Sequence, residues 1–399
     1  MPHHRTADEI ESYRWLISPA GRDLLSRIGE LAASGTPDIR ISEILRENHP
    51  AAHVALAMTQ RDLRLHARAK FPDVDRLFFT REGLEQASSS AVAKHRARRY
   101  ADAESAVDLC CGIGGDLMAL SGRVKPSRLA GVDLDPVHLL LARENVTAGT
   151  PGTLLEVIES DVRDVDLSPF DAIFIDPARR SETGRFGGTA SEPPLDWAIA
   201  LTDRVARVGI KTAPGIPHEL VPRDWEMETI ALGPDLKEAV LWSPALAHAS
   251  RTATVIDEAG IHQLRPVFDK PDSRTIPRAG NWLLDPNPAI TRAGLVEDLA
   301  CILGTRMIDD EIAFLVSERH IETPFARVLP IVDALPWHEK RLKQRLRELD
   351  AGAIDIRRRG LAGDVNAITK RLRGKGSRRL VVAMTRVAGE PWAIICDIA

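Results

Sequence analysis

The feature that most constrains the fold is a glycine-rich turn between an apolar run and a helical stretch. Residues 105–116 read SAVDLCCGIGGD, with a carboxylate at Asp108 and then glycines at Gly112, Gly114 and Gly115. A buried strand that ends in such a turn and leads into a helix places bare backbone at the carboxyl edge of a sheet, where open α/β sheets bind ligands. Glycine suits the turn because a positive φ and the close approach of a ligand both exclude a Cβ.

The residues around the turn narrow the class of ligand. The dinucleotide fingerprint G-x-G-x-x-G would need a glycine at position 117, where the chain has Leu117, and no Gly-Lys-Ser/Thr follows as in a P-loop. Asp108 stands just ahead of the turn, and its carboxylate suits a cationic or amine-bearing ligand. The sequence therefore predicts a nucleotide-like ligand that carries positive charge.

Further acids follow successive predicted strands. The strand over residues 128–133 ends at Asp133, 25 residues after Asp108, and the next two strands lead into Asp161 and Asp176. An acid at the end of the second strand, near the ~20-residue offset of nucleotide-binding units, accepts both ribose hydroxyls. Because parallel strands share their carboxyl edge, we expect these acids in one crevice.

The motifs DLCCGIGGD, VDLDP and DPARR, in this order, resemble motifs I, II and IV of class I S-adenosylmethionine-dependent methyltransferases. With RRRGLAGD in the tail, the chain resembles a bacterial class I family that ends in a THUMP-like domain. The resemblance implies an α/β fold: a Rossmann-like seven-stranded sheet with an N-terminal helical domain and a small C-terminal α/β domain. The expected divisions are a helical domain (1–100), the methyltransferase domain (101–270), a linker with helices (271–324) and the THUMP-like domain (325–399).

The resemblance also implies S-adenosyl-L-methionine as the cofactor and a role for each motif. The acid of motif I lies near the methionine end, the glycines pass under the sugar, motif II holds the ribose and motif III the adenine. The implied cofactor-binding residues are Asp108, Cys110, Gly112, Gly114, Gly115, Asp133, Leu134, Asp161 and Val162.

Residues 176–179, DPAR, occupy motif IV, where family members carry out methyl transfer. The resemblance implies catalytic roles for Asp176, Pro177 and Arg179. Enzymes that methylate exocyclic or ring nitrogens commonly carry Asn/Asp-Pro-Pro and an aromatic residue, so Ala178 and Arg179 disfavour an aminopurine target. Carbon-5 methylation of pyrimidines needs a cysteine nucleophile in or beyond this region, and none lies between positions 111 and 301. We therefore exclude that chemistry.

Three basic residues are candidate substrate-binding groups. Arg179 and Arg180 can hold a phosphate or carboxylate in a fork, or alternatively pair with nearby acids such as Glu182. Lys211, near the end of the fifth predicted strand, either points to the same sheet edge or snorkels to solvent.

The charge distribution favours an anionic polymer as partner. Residues 337–379 hold 14 Lys/Arg and 5 Asp/Glu, which gives this segment a net charge of +9. Because the whole chain has a net charge of −4, the other 356 residues together carry −13. Such a basic segment on an acidic protein is typical of nucleic-acid binding, although part of it can be a solvated helix face.

THUMP-type modules are associated with RNA-modifying enzymes, so the resemblance implies RNA, either tRNA or rRNA, methylated at a nitrogen or oxygen. A small-molecule or protein methyltransferase whose tail dimerises, or a non-catalytic RNA-binding protein, are the alternatives.

Cysteine usage and hydropathy indicate a cytoplasmic protein. The four cysteines show no C-x-x-C or zinc spacing, so we expect reduced thiols and no metal. No signal core or window of ~18 apolar residues is present, so no membrane segment is expected. The sequence does not indicate an oligomeric state.

The remaining segments carry coarser expectations. Residues 8–70 have helical spacing, and 289–303 are expected to form one helix. WLLDPNP at residues 282–288 is expected to be a break. Residues 73–100 include a basic helix that either lies across the ligand edge or packs as a connector, and no catalytic residue is expected there.

Overall fold

The structure is a computed structural model that describes residues 5–122, 128–179, 191–267 and 281–398. The chain forms two compact units. The first comprises Met1–Glu226 with Val240–His248, and the second comprises Met227–Ala239 with Ala249–Ala399. The four-part division expected from the sequence stays a prediction.

The first unit begins with four helices around a small apolar core. They are α1 (Ala7–Ile17), α2 (Pro19–Ala33), α3 (Asp38–Arg46) and α4 (Ala51–Ala67). A capping box starts α1: the Thr6 hydroxyl accepts a hydrogen bond from the backbone N–H of Glu9, and the Glu9 carboxylate accepts from the Thr6 N–H. Leu16, Ile28 and Val54 are fully buried in this core. The helical region predicted from residue spacing is therefore confirmed.

Strands and helices then alternate, which is the arrangement predicted for an open parallel sheet. The elements are α5 (Arg81–Gln86), α6 (Ser90–Ala97), β1 (Ser105–Leu109), α7 (Gly115–Ser121), β2 (Arg128–Asp133), α8 (Pro136–Gly149), β3 (Leu155–Glu159), β4 (Ala172–Ile175), β5 (Ala178–Arg179), β6 (Ser191–Glu192), α9 (Leu195–Ala200) and β7 (Arg207–Thr212). Parallel pairings order five of the strands β7-β4-β1-β2-β3, so their carboxyl ends share one edge. The short strands β5 and β6 pair with each other in antiparallel fashion.

The large sheet has more strands than expected. The next elements are β8 (Glu226–Leu232), β9 (Asp235–Trp242), β10 (Arg251–Asp257) and β11 (Gly260–Leu264). The strand order is β11-β10-β8-β9-β7-β4-β1-β2-β3, which is nine strands over the described ranges. The Rossmann-like α/β sheet is thus confirmed, but the count of seven was wrong. At the edge of the sheet, β10 pairs in parallel with β8. The Asp257 carboxylate accepts hydrogen bonds from the N–H groups of Ala259 and Gly260, and this tight turn folds β11 back along β10 as a further, antiparallel strand.

The second unit also contains a seven-stranded sheet, ordered β13-β14-β12-β15-β18-β17-β16. Its elements are β12 (Trp282–Pro286), α10 (Pro288–Ala293), α11 (Val296–Leu303), β13 (Arg306–Met307), β14 (Leu315–Ser317), β15 (Ala326–Pro336), α12 (Glu339–Glu348), β16 (Ala351–Arg358), α13 (Val365–Leu372), β17 (Arg378–Val387) and β18 (Glu390–Asp397). Leu342 and Leu346 of α12 share one apolar cluster with Ile368 and Leu372 of α13.

Two expectations for this region were wrong. The stretch WLLDP is not a break but strand β12, which pairs with β14 and β15. Its consecutive residues Leu283 and Leu284 face opposite sides of the strand, and each is buried in a different apolar cluster. The helix expected over residues 289–303 is split, since Gly294 has a φ of +67° and ends α10. Within the described ranges, no helix has both the length and the apolar character needed to cross a membrane.

Candidate active site

The glycine-rich turn leaves β1 at Cys110 and enters α7 at Gly115. Cys110, Gly112 and Gly114 have φ values of +65°, +52° and +83°. A Cβ on Gly114 would lie 2.9 Å from the Cα of Ala142 in α8, so only glycine allows this approach. A Cβ on Gly112 would meet no atom within 4 Å, which leaves the backbone there open to a ligand.

Asp133 ties the end of β2 to this turn. Its Oδ2 accepts a hydrogen bond from the N–H of Gly112 at 2.8 Å, and its Oδ1 accepts one from the N–H of Asp135 at 2.9 Å. Each carboxylate oxygen can accept a second hydrogen bond, so the group retains capacity for the hydroxyls of a ligand. Leu134 next to it is exposed.

Asp108 is a buried carboxyl group without a protein partner. Only 1% of the residue is exposed, and neither oxygen has a hydrogen-bond partner in the described part of the chain. Burial, followed by the nearby carboxylates of Asp116 and Asp176, raises the pKa of Asp108 well above its ordinary value. An orphaned buried carboxyl of this kind fits a ligand that brings a positively charged group to it.

The basic helix ahead of the sheet lies against the turn. Arg96 of α6 is buried, forms an ion pair with Asp116 of α7 and lies with its guanidinium 5.0 Å from the ring centroid of Phe174. In α5, a Cβ on Gly83 would come within 2.4 Å of Ile113 in the turn. The part of residues 73–100 that contains Gly83 and Arg96 therefore packs against the glycine-rich turn and the helix after it. Arg96 is buried and paired inside the fold.

Asn145 was missed by the sequence reasoning. It is fully buried in α8, accepts from the N–H of Phe78 and donates to the carbonyl oxygens of Phe78 and Ile113. These contacts hold the chain ahead of α5 and the glycine-rich turn on one helix. An asparagine within an otherwise ordinary helical pattern gives no signal of this role.

The segment after β3 contains Asp161 and Val162. Asp161 accepts a hydrogen bond from the N–H of Arg163 at 2.9 Å, and Val162 is buried. Arg163 also forms an ion pair with Glu192 of β6, so this segment contacts the hairpin that follows motif IV. The acids of the first three strands are thus each placed at the same sheet edge.

Asp176 and Lys211 form an ion pair at the ends of neighbouring strands. The Nζ of Lys211 lies 2.5 Å from Oδ2 of Asp176, and Ile175 pairs with Ile210 directly before them. Lys211 therefore points to the ligand edge rather than away from it. Pro177 is buried behind Asp176. The side chain of Arg179 and the whole of Arg180 lie outside the described residues.

The thiols near the site are poorly suited to nucleophilic chemistry. Burial, with the charge of Asp133 as the next cause, raises the pKa of both Cys110 and Cys111 well above the usual value. Both thiols stay protonated at neutral pH. In the part of the chain that the structure describes, no group of three or more His, Cys, Asp or Glu side chains is arranged to hold a metal ion.

Comparison with known proteins identifies the family. A methyltransferase-domain model matches residues 106–179, a THUMP domain-like model matches residues 326–397, and a domain of unknown function matches residues 8–67. An uncharacterised S-adenosylmethionine-dependent methyltransferase of Mycobacterium tuberculosis is 38% identical over 322 residues, which cover 79% of this chain and 86% of that protein. The chain belongs to the S-adenosylmethionine-dependent methyltransferases.

The methyltransferase also shares its fold with a solved structure. The crystal structure of a protein from Porphyromonas gingivalis W83, described as a methyltransferase, superposes with a TM-score of 0.73 at 19% identity and covers 95% of this chain and 98% of that one. A carboxy-S-adenosyl-L-methionine synthase of Chromohalobacter salexigens is 37% identical over 70 residues, 17% of this chain and 26% of that protein. The enzyme therefore uses S-adenosylmethionine and carries a C-terminal THUMP-like domain.

Proposed function

We propose that this methyltransferase transfers a methyl group to RNA, either tRNA or rRNA, at a nitrogen or oxygen atom. The observation that carries the proposal is the basic surface of the THUMP-like region. Eight exposed Lys and Arg side chains there have no ion pair within the described residues: Lys340, Arg341, Arg347, Arg358, Lys370, Arg373, Lys375 and Arg379. They lie on α12, at the end of β16, on α13, on the loop after α13 and at the start of β17. Such unneutralised charge fits a phosphate backbone. We also propose that the enzyme acts in the cytoplasm, a location that is consistent with an RNA acceptor.

The cofactor roles follow from the sheet edge. Bound S-adenosylmethionine supplies a methyl group on a sulfonium centre. Asp108 would receive the ammonium end, because its buried oxygens lack a partner. The backbone of Gly112 would face the sugar, Asp133 would accept the ribose hydroxyls, and Asp161 with Val162 would border the adenine. The remaining residues of this proposed site are Cys110, Gly114, Gly115 and Leu134.

Asp176 is proposed as the catalytic residue of the acceptor side. It follows β4 and interacts electrostatically with Asp108. From this position its carboxylate would orient the acceptor. It would take a hydrogen bond from the acceptor and withdraw its proton during transfer. Pro177 would restrict the backbone there. Arg179, Arg180 and Lys211 would bind the negatively charged groups of the substrate.

The proposal is tested by methyl transfer to RNA from a strain that lacks the protein. Total RNA is incubated with the enzyme and S-adenosylmethionine labelled in the methyl group, with RNA from the parent strain as the saturated control. We expect label only in RNA from the deletion strain and none with the Asp176→Ala variant. Label in the protein or small-molecule fraction alone would overturn the RNA proposal.

A further inference from the structure

The ion pair between Lys211 and Asp176 changes what the proposed acceptor site can stabilise. The ammonium lies 2.5 Å from Oδ2, while Oδ1 has no partner among the described residues. The Lys211 side chain is 14% exposed and that of Asp176 is 29% exposed, so water screens the pair only in part. An acceptor that donates to Oδ1 would lie about 5 Å from the ammonium, given ordinary hydrogen-bond lengths on both oxygens.

The charge at the acceptor atom depends on the kind of acceptor. A neutral amine that attacks the methyl group becomes positive in the transition state, and a lone carboxylate would favour that change. Here the carboxylate is already neutralised and an ammonium stands nearby, so the site opposes a developing cation. An acceptor that gives up its proton carries negative charge instead, and the same ammonium stabilises it.

The other charged groups near this pair surround Asp108. Asp176 contributes to the raised pKa of buried Asp108, so the two carboxyl groups are close enough to interact. Asp116 and Asp133 are the other acids that act on Asp108, and Arg96 is the opposing cation there. Arg96 is paired with Asp116, and among the described residues Lys211 is the cation that contacts Asp176.

We propose that Lys211 makes this site specific for an acceptor that gives up its proton before or as the new bond forms, namely a hydroxyl group or a ring imide N–H, rather than a neutral exocyclic amine, which becomes positive first and loses its proton afterwards. The inference rests on the proposed use of Asp176 in methyl transfer. In the step, the acceptor lone pair forms the bond to the methyl carbon, the carbon–sulfur bond breaks, and its electron pair stays on sulfur. The acceptor proton passes to Oδ1 of Asp176 and from there to water, while Lys211 keeps its own protons.

The identity of the product tests this inference on the unmodified enzyme. RNA, protein and small-molecule fractions from the deletion strain are each labelled, and the methylated unit is identified by digestion and mass spectrometry. An O-methyl group or a methylated ring imide supports the inference, whereas a methylated exocyclic amine overturns it. Label confined to protein or small molecules overturns the RNA proposal. The atom that is methylated in those products still tests the inference about Lys211. No transfer to any fraction would contradict both proposals.

Variants of Lys211 test the electrostatic cause. Lys211→Met should lower kcat at pH 7 by about 100-fold, in the range found for single electrostatic groups, and kcat should recover as rising pH ionises the acceptor. Lys211→Arg should restore most of the activity because it restores the charge. Binding of S-adenosylmethionine, followed by calorimetry, should change little in both variants. An unchanged or raised kcat in Lys211→Met, or a loss that pH does not relieve, would overturn the inference.

Discussion

The Oδ2 atom of Asp133 accepts a hydrogen bond from the backbone N–H of Gly112 at 2.8 Å. This contact joins Asp133 at the end of β2 to the glycine-rich turn after β1. The same acid also accepts from the N–H of Asp135, which caps α8. A single carboxylate thus fixes the two segments between which the cofactor is proposed to lie.

Replacing Asp133 should weaken cofactor binding. Asp133→Ala removes the proposed acceptor of the ribose hydroxyls and releases Gly112, so the Kd for S-adenosylmethionine should rise about 10- to 100-fold. Isothermal titration calorimetry measures the change, and Asp203→Ala, an exposed acid away from this edge, serves as the control. Equal affinities in Asp133→Ala and the control would show that the ribose lies elsewhere.

Asp108, the proposed partner of the cofactor's ammonium group, should lower the free energy of unfolding. Because its pKa is raised in the folded protein, the native state keeps a proton that the unfolded chain loses above its ordinary value of 3.8. The free energy of unfolding should therefore fall as pH rises from about 4 towards the raised pKa. Asp108→Asn removes this penalty and should raise the free energy of unfolding at pH 7.

Urea unfolding at pH 4 and pH 7 measures this effect. The stability difference between Asp108→Asn and the wild type should be small at pH 4 and larger at pH 7, while the variant binds S-adenosylmethionine more weakly. A variant that is less stable than the wild type at pH 7 would show that Asp108 has a stabilising partner in the folded protein.

Asn145 should be important for the stability of the first unit. Asn145→Ala removes the partners of three backbone groups in a fully buried position, and we expect a loss of about 2–4 kcal/mol in the free energy of unfolding. Thr147→Ala, on the exposed face of the same helix, is the matched control and should change stability by less than about 0.5 kcal/mol. If both variants unfold alike, the hydrogen bonds of Asn145 do not hold the turn.

The basic tail should give RNA binding its salt dependence. The triple change Lys340→Ala, Arg341→Ala and Arg347→Ala should weaken binding of tRNA and lower the slope of log K against log salt by about 2–3. Removal of three arginines from the exposed faces of the N-terminal helices, Arg14, Arg27 and Arg40, is the control of equal charge. A control that loses as much affinity as the tail variant would place the RNA elsewhere.

The positions of the parallel strands along the chain and of their acids could be predicted from the sequence, because apolar runs that end in Asp or Gly specify both the strand and its edge. The helical front followed in the same way from its spacing and caps. By contrast, the strand at Trp282–Pro286 contains a proline and an acid, so its local pattern indicated a break. Only its pairing with β14 and β15 makes it a strand.

Side-chain partners at the site were less accessible to sequence reasoning. For the basic helix containing Arg96, the sequence allowed either a position across the ligand edge or a packed connector, and it gave no sign of the ion pair with Asp116. The sequence allowed Lys211 either to point to the ligand edge or to snorkel to solvent. Its distance to Asp176 depends on the register between β4 and β7. Such contacts join residues far apart in the chain, and no local pattern specifies them.

The most direct test of the central claim is a calorimetric titration of Asp176→Ala and the wild type with S-adenosylmethionine, paired with labelled methyl transfer to RNA from the deletion strain. We predict one-to-one binding in both proteins with Kd values within about threefold, and a fall in transfer of at least about 100-fold in the variant. Absence of binding heat in the folded wild type, or loss of cofactor binding in Asp176→Ala, would contradict the account.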